Sequence, residues 1–306
     1  MNSRRMIART GSLFGTLLAL SGCSAQPKGT TYHLYFLGGQ SNMVGYGFTR
    51  ELSPEQAEPA ADAWIYATTP TGDEASIDPA SAWAPVTPGF GVGYAAPESA
   101  PALGERFGPE LSFARTLREL QPDTPIAIIK YARGGTSIDL RARGGAGSWD
   151  PSYEGLNQFD HAVATIRAAM EPRDLDGDGE LDRLVPAGIG WMQGESDGTR
   201  EDAAAAYEAN LARLARALRE ELGDADLPFV VVRISDSQVQ AGTGRVWAFG
   251  DAVRGAQEAF ARSDPNAALV TSTDGYGYSD PYHYDTAGYL DMGARIAKAM
   301  HELGDD

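Results

Sequence analysis

YHLYFLGGQSNMVGYG, Tyr32 to Gly47, runs an apolar, aromatic-rich segment (Tyr32, Leu34, Tyr35, Phe36, Leu37) straight into two glycines and then Gln40-Ser41-Asn42. Such a segment predicts a strand buried on both faces, as in a parallel sheet. Two glycines let the backbone bend sharply and approach a neighbour closely, and they set a serine at the strand exit. Open α/β sheets carry their reactive groups there, outside the carboxyl ends of the strands. Taken alone, the tripeptide favours an ordinary Gly-Ser-Asn turn; its position makes Ser41 a candidate nucleophile.

Downstream, apolar runs alternate with helical segments, the signature of βαβ units. Strands are predicted at Tyr32–Leu37, Pro125–Tyr131, Val185–Met192, Phe229–Ile234 and Ala267–Thr271. Helices are predicted at Pro109–Leu120, Leu156–Met170, Glu201–Leu222, Val246–Ala261 and Thr286–Leu303. The expected architecture is a three-layer α/β/α sandwich around a five-stranded, parallel, doubly wound sheet. Residues 31–306 then form one domain. Thr49 to Arg106 breaks the alternation: it is rich in proline, glycine and alanine, with Trp64, Ile65, Tyr66 and Trp83 as landmarks. It reads as short edge strands or an excursion, and equally as a substrate-facing loop or as padding over the sheet.

The formal charge is −17, and residues 1–22 hold Arg4, Arg5 and Arg9 with no acid, so the remainder carries −20. That surface repels phosphate backbones, which argues against a nucleic-acid partner. Residues 1–22 read as a signal peptide: a basic start, then an apolar run, Gly11 to Leu20, too short to span a bilayer. The sole cysteine closes Leu20-Ser21-Gly22-Cys23, which resembles a bacterial lipobox with lipid on Cys23. Residues 23–30 are then a tether, and the expected location is the cell envelope, anchored to the membrane through that lipid. No disulfide can form within the chain.

Three other strand exits carry polar groups. Asp280-Pro281-Tyr282-His283 precedes the last helix, and His283 is the one histidine of four without an easy structural explanation. The three-residue spacing lets Asp280 accept from one ring nitrogen while the other faces a nucleophile; a helix-capping turn explains the spacing about as well. Arg133-Gly134-Gly135-Thr136-Ser137 and Gln193-Gly194-Glu195-Ser196-Asp197 follow the second and third strands. Acyl transfer needs donors aimed at a developing oxyanion. Gly135 and Gln193 are the candidates, with the N–H of Ser41 itself. Glu195 rivals Asp280 as the acidic member, and Ser137 is a second candidate nucleophile.

GGQSNM, KYARGGTS, WMQGESD and DPYH, in this order at strand exits, resemble the SGNH hydrolase superfamily. The likeness is nearest to the branch of sialate O-acetylesterases and the acetylxylan esterases of carbohydrate esterase family six, and covers about Tyr32 to Ala299. It implies Ser41 as nucleophile, His283 as base and Asp280 as acid, with Ser41 N–H, a glycine of Gly134-Gly135 and Gln193 as oxyanion donors. Gln193 stands where the superfamily's name puts asparagine, as is usual in this branch, and Trp191-Met192 replaces the branch's frequent tryptophan-histidine pair. The implied activity is O-acetyl removal from a carbohydrate, of acetylxylan or sialic acid type, through an acetyl-serine and without a cofactor. A non-catalytic surface glycan-binding lipoprotein and an esterase for non-sugar acyl esters are the alternatives.

Asp174-Leu175-Asp176-Gly177-Asp178-Gly179-Glu180-Leu181-Asp182 places acids at positions 1, 3, 5 and 9 of an EF-hand-type loop, with glycine at 6. Asp174, Asp176, Asp178 and Asp182, with the Glu180 carbonyl, are candidate ligands for a structural calcium ion. Position 12 is Val185 rather than the usual glutamate, and a solvated acidic turn is the competing reading.

Overall fold

Every residue of Ile126–Ala132, IAIIKYA, is buried, including Lys130. A parallel strand covered by helices on both faces needs this continuous apolar run rather than an alternating one. The computed structural model describes residues 29–96 and 102–304, so the signal segment, Cys23 and most of the tether lie outside the described residues. In chain order the elements are β1 (Thr31–Gly39), α1 (Ser41–Val44), β2 (Gly47–Phe48), α2 (Pro54–Ala57), β3 (Ala63–Ala67), β4 (Ala84–Pro85), β5 (Arg106–Phe107), α3 (Glu110–Leu120), β6 (Ile126–Ala132), α4 (Gln158–Ala169), β7 (Arg183–Met192), α5 (Glu201–Leu222), β8 (Phe229–Val232), α6 (Ser237–Ala241), α7 (Gly250–Ser263), β9 (Ala267–Val270) and α8 (Thr286–Gly304).

The main sheet runs β4-β3-β6-β1-β7-β8-β9, parallel except for β4, while β2 and β5 pair separately. Helices α3 and α8 pack together on one face, and α4, α5 and α7 follow one another on the other. The three-layer sandwich is therefore as expected, but the sheet has seven strands, not five. The added pair comes from the region that broke the alternation. Ala63–Ala67 lies inside the sheet, parallel to β6, and only β4 forms the edge beyond it. Five residues amid prolines and alanines carry no period of their own. Their partners, Ile126 to Lys130, lie some sixty residues later in the chain.

Between β7 and β1 the register shifts at Ala187, next to Pro186. Proline has no N–H for the ladder, so a bulge absorbs the irregularity. The predicted helix start at Val246 moves to Gly250, because the N–H groups of Val246 and Trp247 donate to Asp236 Oδ2 at 2.8 and 2.9 Å instead of opening a helix. The chain passes from β6 to β7 across β1. That reversal makes a crevice at the carboxyl ends of β1 and β7, where open α/β sheets bind ligands.

Candidate active site

At the end of β1 the backbone turns under tight constraint. Gly39 has φ +145°, and a Cβ there would sit 2.0 Å from the Met192 carbonyl oxygen. Only glycine fits that approach. Gln40 N–H then donates to the same carbonyl at 2.9 Å, and α1 begins at Ser41. Met43 and Val44 N–H donate to Gln40 O. The N–H groups of Ser41 and Asn42 have no partner among the described residues, as the first turn of a helix leaves them. Ser41 is 8% exposed, and its Oγ likewise has no hydrogen-bond partner among the described residues.

Asn42 fastens this turn to the loop that carries His283. Its Nδ2 donates to Glu195 Oε1 at 2.8 Å and to the Tyr282 carbonyl at 3.2 Å, while its Oδ1 accepts from Tyr289 OH at 2.8 Å. His283 Nδ1 lies 2.7 Å from Asp280 Oδ2, and Asp280 Oδ1 accepts from the N–H groups of Tyr282 and His283 at 2.8 and 3.0 Å. One carboxylate therefore closes the turn and orients the ring: a carboxylate only accepts, so Nδ1 carries the proton and Nε2 is left as an acceptor. Partial burial pushes the Asp280 carboxyl up, but the bond from His283 and the two backbone donors outweigh it and hold the group below its ordinary value. Tyr46, two residues after α1, stacks on the His283 ring at 3.6 Å with 4° between planes.

Ser41, Asp280 and His283, some 240 residues apart in sequence, are thus gathered around α1. Glu195 is not the partner of His283; it is buried against Asn42. Ser137 is fully buried and donates to Asp139 O at 2.6 Å, so it does not face the crevice.

The groups expected as oxyanion donors lie differently with respect to Ser41. A Cβ on Gly134 would meet Ser41 Cβ at 3.4 Å, whereas one on Gly135 would meet Ala146. Gly134 is therefore the glycine against the serine, and Gly135, with φ +76°, makes the turn beyond it. Gln193 is fully buried with its amide turned inward. Its Nε2 reaches Asp197 Oδ2 at 2.7 Å, Thr136 O at 3.1 Å and Gln40 Oε1 at 3.3 Å, three acceptors for two hydrogens. Tyr207 OH donates to the Gln193 carbonyl oxygen at 2.7 Å. In this arrangement Gln193 ties the strand exits together and does not point at an oxyanion. Asp197 also accepts from the N–H groups of Ile138 and Asp139, which fixes the loop after β6. Sequence reasoning missed Asn42, Tyr46 and Asp197 as positioning groups. The first and last stand inside the GQSN and QGESD motifs, but only the contacts reveal their roles.

Burial pushes the Glu195 carboxyl up to about 7, with no partner for its second oxygen among the described residues, and pushes Asp197 up to about 6. The fold prefers these acids protonated. Each contribution is complete below the unfolded value, ~4.3 for Glu195 and ~3.9 for Asp197, and is lost as pH rises through about 7 and about 6 respectively. We expect Glu195→Gln, which keeps the acceptor for Asn42, to stabilise the protein at pH ~8 by roughly 3 kcal/mol and to flatten the slope between pH ~4 and ~7. Denaturant unfolding of both proteins at pH ~5 and ~8 checks this; an unchanged slope would show that Glu195 titrates normally.

A hollow bounded by Val44, Tyr46, Ala67, Phe90, Tyr94 and Gly134 opens beside this turn. Residues of the irregular region, including Phe90 and Tyr94, form its wall, so part of that region faces the site. Lys130 underlies it, donating to Val44 O at 2.8 Å, Phe90 O at 2.9 Å and Glu110 Oε2 at 2.6 Å.

At the opposite, amino end of β1 and β7, Asp174, Asp176 and Asp182 place carboxylate oxygens within 4.8 Å of one another. Asp178, expected as a carboxylate ligand with them, is not part of this group, and from Glu180 only the backbone carbonyl is expected as a ligand. Asp178 accepts from the Glu180 N–H at 2.8 Å instead, and Glu180 is exposed. Asp174 gathers the N–H groups of Gly177, Asp178 and Gly179, and Asp176 accepts from Thr30 Oγ1 at 2.9 Å and Tyr32 OH at 3.3 Å.

Fold and site define a three-layer α/β/α hydrolase whose polar groups converge at the switch point of a parallel sheet. The family profile described as carbohydrate esterase, sialic acid-specific acetylesterase, matches residues 31–302, and the chain belongs to that family of carboxylic ester hydrolases. Among solved structures, it is similar to an Arabidopsis thaliana protein (22% identity, TM-score 0.60, 88% of this chain and 98% of that one). It is also similar to a carbohydrate acetylesterase of Xanthomonas citri (19% identity, TM-score 0.61, 89% of this chain and 57% of that one). A third similar structure is NanS (16% identity, TM-score 0.57, 90% and 98%). These likenesses concern the fold. No curated protein matches the chain.

Proposed function

We propose that the protein removes O-acetyl groups from a sugar through an acetyl-enzyme on Ser41. The observation that carries this reading is the Asp280–His283 pair, stacked on Tyr46 and tied through Asn42 to the turn where Ser41 Oγ has no competing partner among the described residues. Ser41 Oγ attacks the acetyl carbonyl carbon as its proton passes to His283 Nε2. Asp280 holds the ring and stabilises its positive charge. The N–H groups of Ser41 and Gly134, both without backbone partners among the described residues, receive the oxyanion. The C–O bond to the sugar breaks, and the sugar oxygen takes the proton from His283. Water then attacks the acetyl-serine carbonyl carbon as its proton passes to His283; the bond to Ser41 Oγ breaks, Ser41 Oγ takes that proton back from His283, and acetate leaves.

The test is acetate release from acetylated xylan, an O-acetylated sialic acid and an aryl acetate. Release from either sugar substrate supports the reading and names the sugar. Hydrolysis of the aryl acetate alone points to a non-sugar ester, and inactivity of the folded protein on all three points to a glycan-binding role.

We also assign a structural calcium ion to the Asp174, Asp176 and Asp182 carboxylates, on their convergence and on the ring of N–H groups around Asp174. Calcium at millimolar concentration is expected to raise the Tm of the wild-type protein but not that of Asp174→Ala. A loss of stability in the variant that is the same with and without calcium would refute the assignment.

A further inference from the structure

Beside the His283 turn lies a second hollow that the mechanism does not use. It is lined by Ile234, Asp236, Val239, Arg245, Trp247 and Arg254, among others. Trp247 leads from it to the site: its ring lies 5.7 Å from that of Tyr282, which in turn lies 6.2 Å from that of His283. Tyr282 is 51% exposed and Val239 47% exposed. An apolar shelf open to water beside a reactive turn is a feature that a fold gains nothing by keeping for stability.

The shelf is also held rigidly. The Asp236 carboxylate accepts from the N–H groups of Gln238, Val239, Val246 and Trp247, which fixes both α6 and the backbone of Trp247. Trp247 Cβ packs against the backbone of Gly198 and Gly250, where a Cβ would come within 3.3 and 3.2 Å of it. Ser237 Oγ donates to Pro281 O at 2.7 Å, joining α6 to the His283 turn. Trp247 Nε1 has no partner among the described residues. Beyond the rings, the Arg245–Asp251 pair, 2.6 Å apart, lies partly exposed at the rim.

We infer that Trp247 and Tyr282 form a subsite for the pyranose adjoining the acetylated one, so that the substrate is an oligosaccharide rather than a single sugar. This rests on the proposed acetylesterase reading. A pyranose offers a C–H face that packs on an aromatic ring and hydroxyls at its edge that meet an indole N–H and charged rim groups. The charged rim suits those hydroxyls and is ill-suited to an acyl chain. Trp247 stands one ring farther from His283 than Tyr282 does, where a neighbouring sugar, not the acetylated one, would lie.

Turnover of acetylated xylo-oligosaccharide, acetylated xylose and an aryl acetate by wild type, Trp247→Ala and Trp247→Phe tests the subsite. Trp247→Ala is expected to lower kcat/KM on the oligosaccharide roughly 3- to 10-fold, through KM. The other two substrates should be unaffected, and Trp247→Phe should restore most of the loss. Equal losses on all three would assign Trp247 to holding the turn, and no loss on any would leave the shelf without a role; either overturns the inference. Calorimetry with an unacetylated xylo-oligosaccharide on Ser41→Ala, with and without Trp247→Ala, reads the same site without turnover. Binding that Trp247→Ala weakens supports the subsite even if the esterase reading fails, and absence of binding in the Ser41→Ala protein overturns it.

Discussion

Ser41→Ala is expected to lower kcat by roughly 10⁴-fold or more while leaving the folded state unchanged. The size follows from the role: when nucleophile, base and orienting acid act as one unit, loss of the nucleophile removes nearly all the catalysis the unit provides. The fold should tolerate the change, because Ser41 Oγ makes no hydrogen bond among the described residues and its Cβ, which alanine keeps, is the atom that packs near Gly134. Acetate release compared with thermal unfolding separates the two effects. An inactive variant with an unchanged Tm fits the proposal, and retained turnover would move the nucleophile elsewhere. His283→Ala should fall in the same range as Ser41→Ala, and the double variant should lose little more, because members of one unit are not additive.

The second large effect concerns stability. Lys130 and Glu110 are both buried and meet at 2.6 Å, and Glu110 Oε1 also accepts from the Gly108 N–H at 2.9 Å. Burial pulls the Lys130 ammonium below its ordinary value, opposed by the Glu110 charge and hydrogen bond. Removing one member strands the other charge in a dry interior, which costs about 3–5 kcal/mol. Lys130→Met is therefore expected to lower Tm by roughly 10 °C. Lys130→Met combined with Glu110→Leu should recover much of that, since an apolar pair of similar volume suits the same space. Thermal unfolding of the single and double variants checks this; a double variant no better than the single would show that the bonds to Val44 O and Phe90 O, not the charge pair, carry the stability. Those bonds also fasten the end of α1 and the wall of the adjacent hollow, so activity should fall with Lys130→Met beyond the fraction unfolded.

Burial pattern made most of the scaffold legible in advance. The strands around Tyr35, Ile128, Trp191 and Val231 are short apolar runs between amphipathic helices, and that alternation admits few arrangements other than a parallel sheet covered on both faces. The strand at Trp64 was marked only by aromatic landmarks, because its pairing with β6 is a long-range contact with no local period. The glycines and polar residues after each strand exposed the site by position. Which glycine abuts Ser41, and whether the Gln193 amide points outward, depended on distances that no spacing encodes.

What the sequence determined alone is the sheet's parallel character, the strand exits that bear Ser41, Gly134, Gln193 and His283, and the acidic loop at the far end. Local propensity and burial act within a few residues, so they are written in the chain. The tertiary structure decided which of those groups touch. It paired Asp280 rather than Glu195 with His283, set Gly134 rather than Gly135 against Ser41, and turned Gln193 into the core. Those outcomes follow from packing across β1, β6 and β7, where each buried polar group had to find its partner among residues far away in sequence.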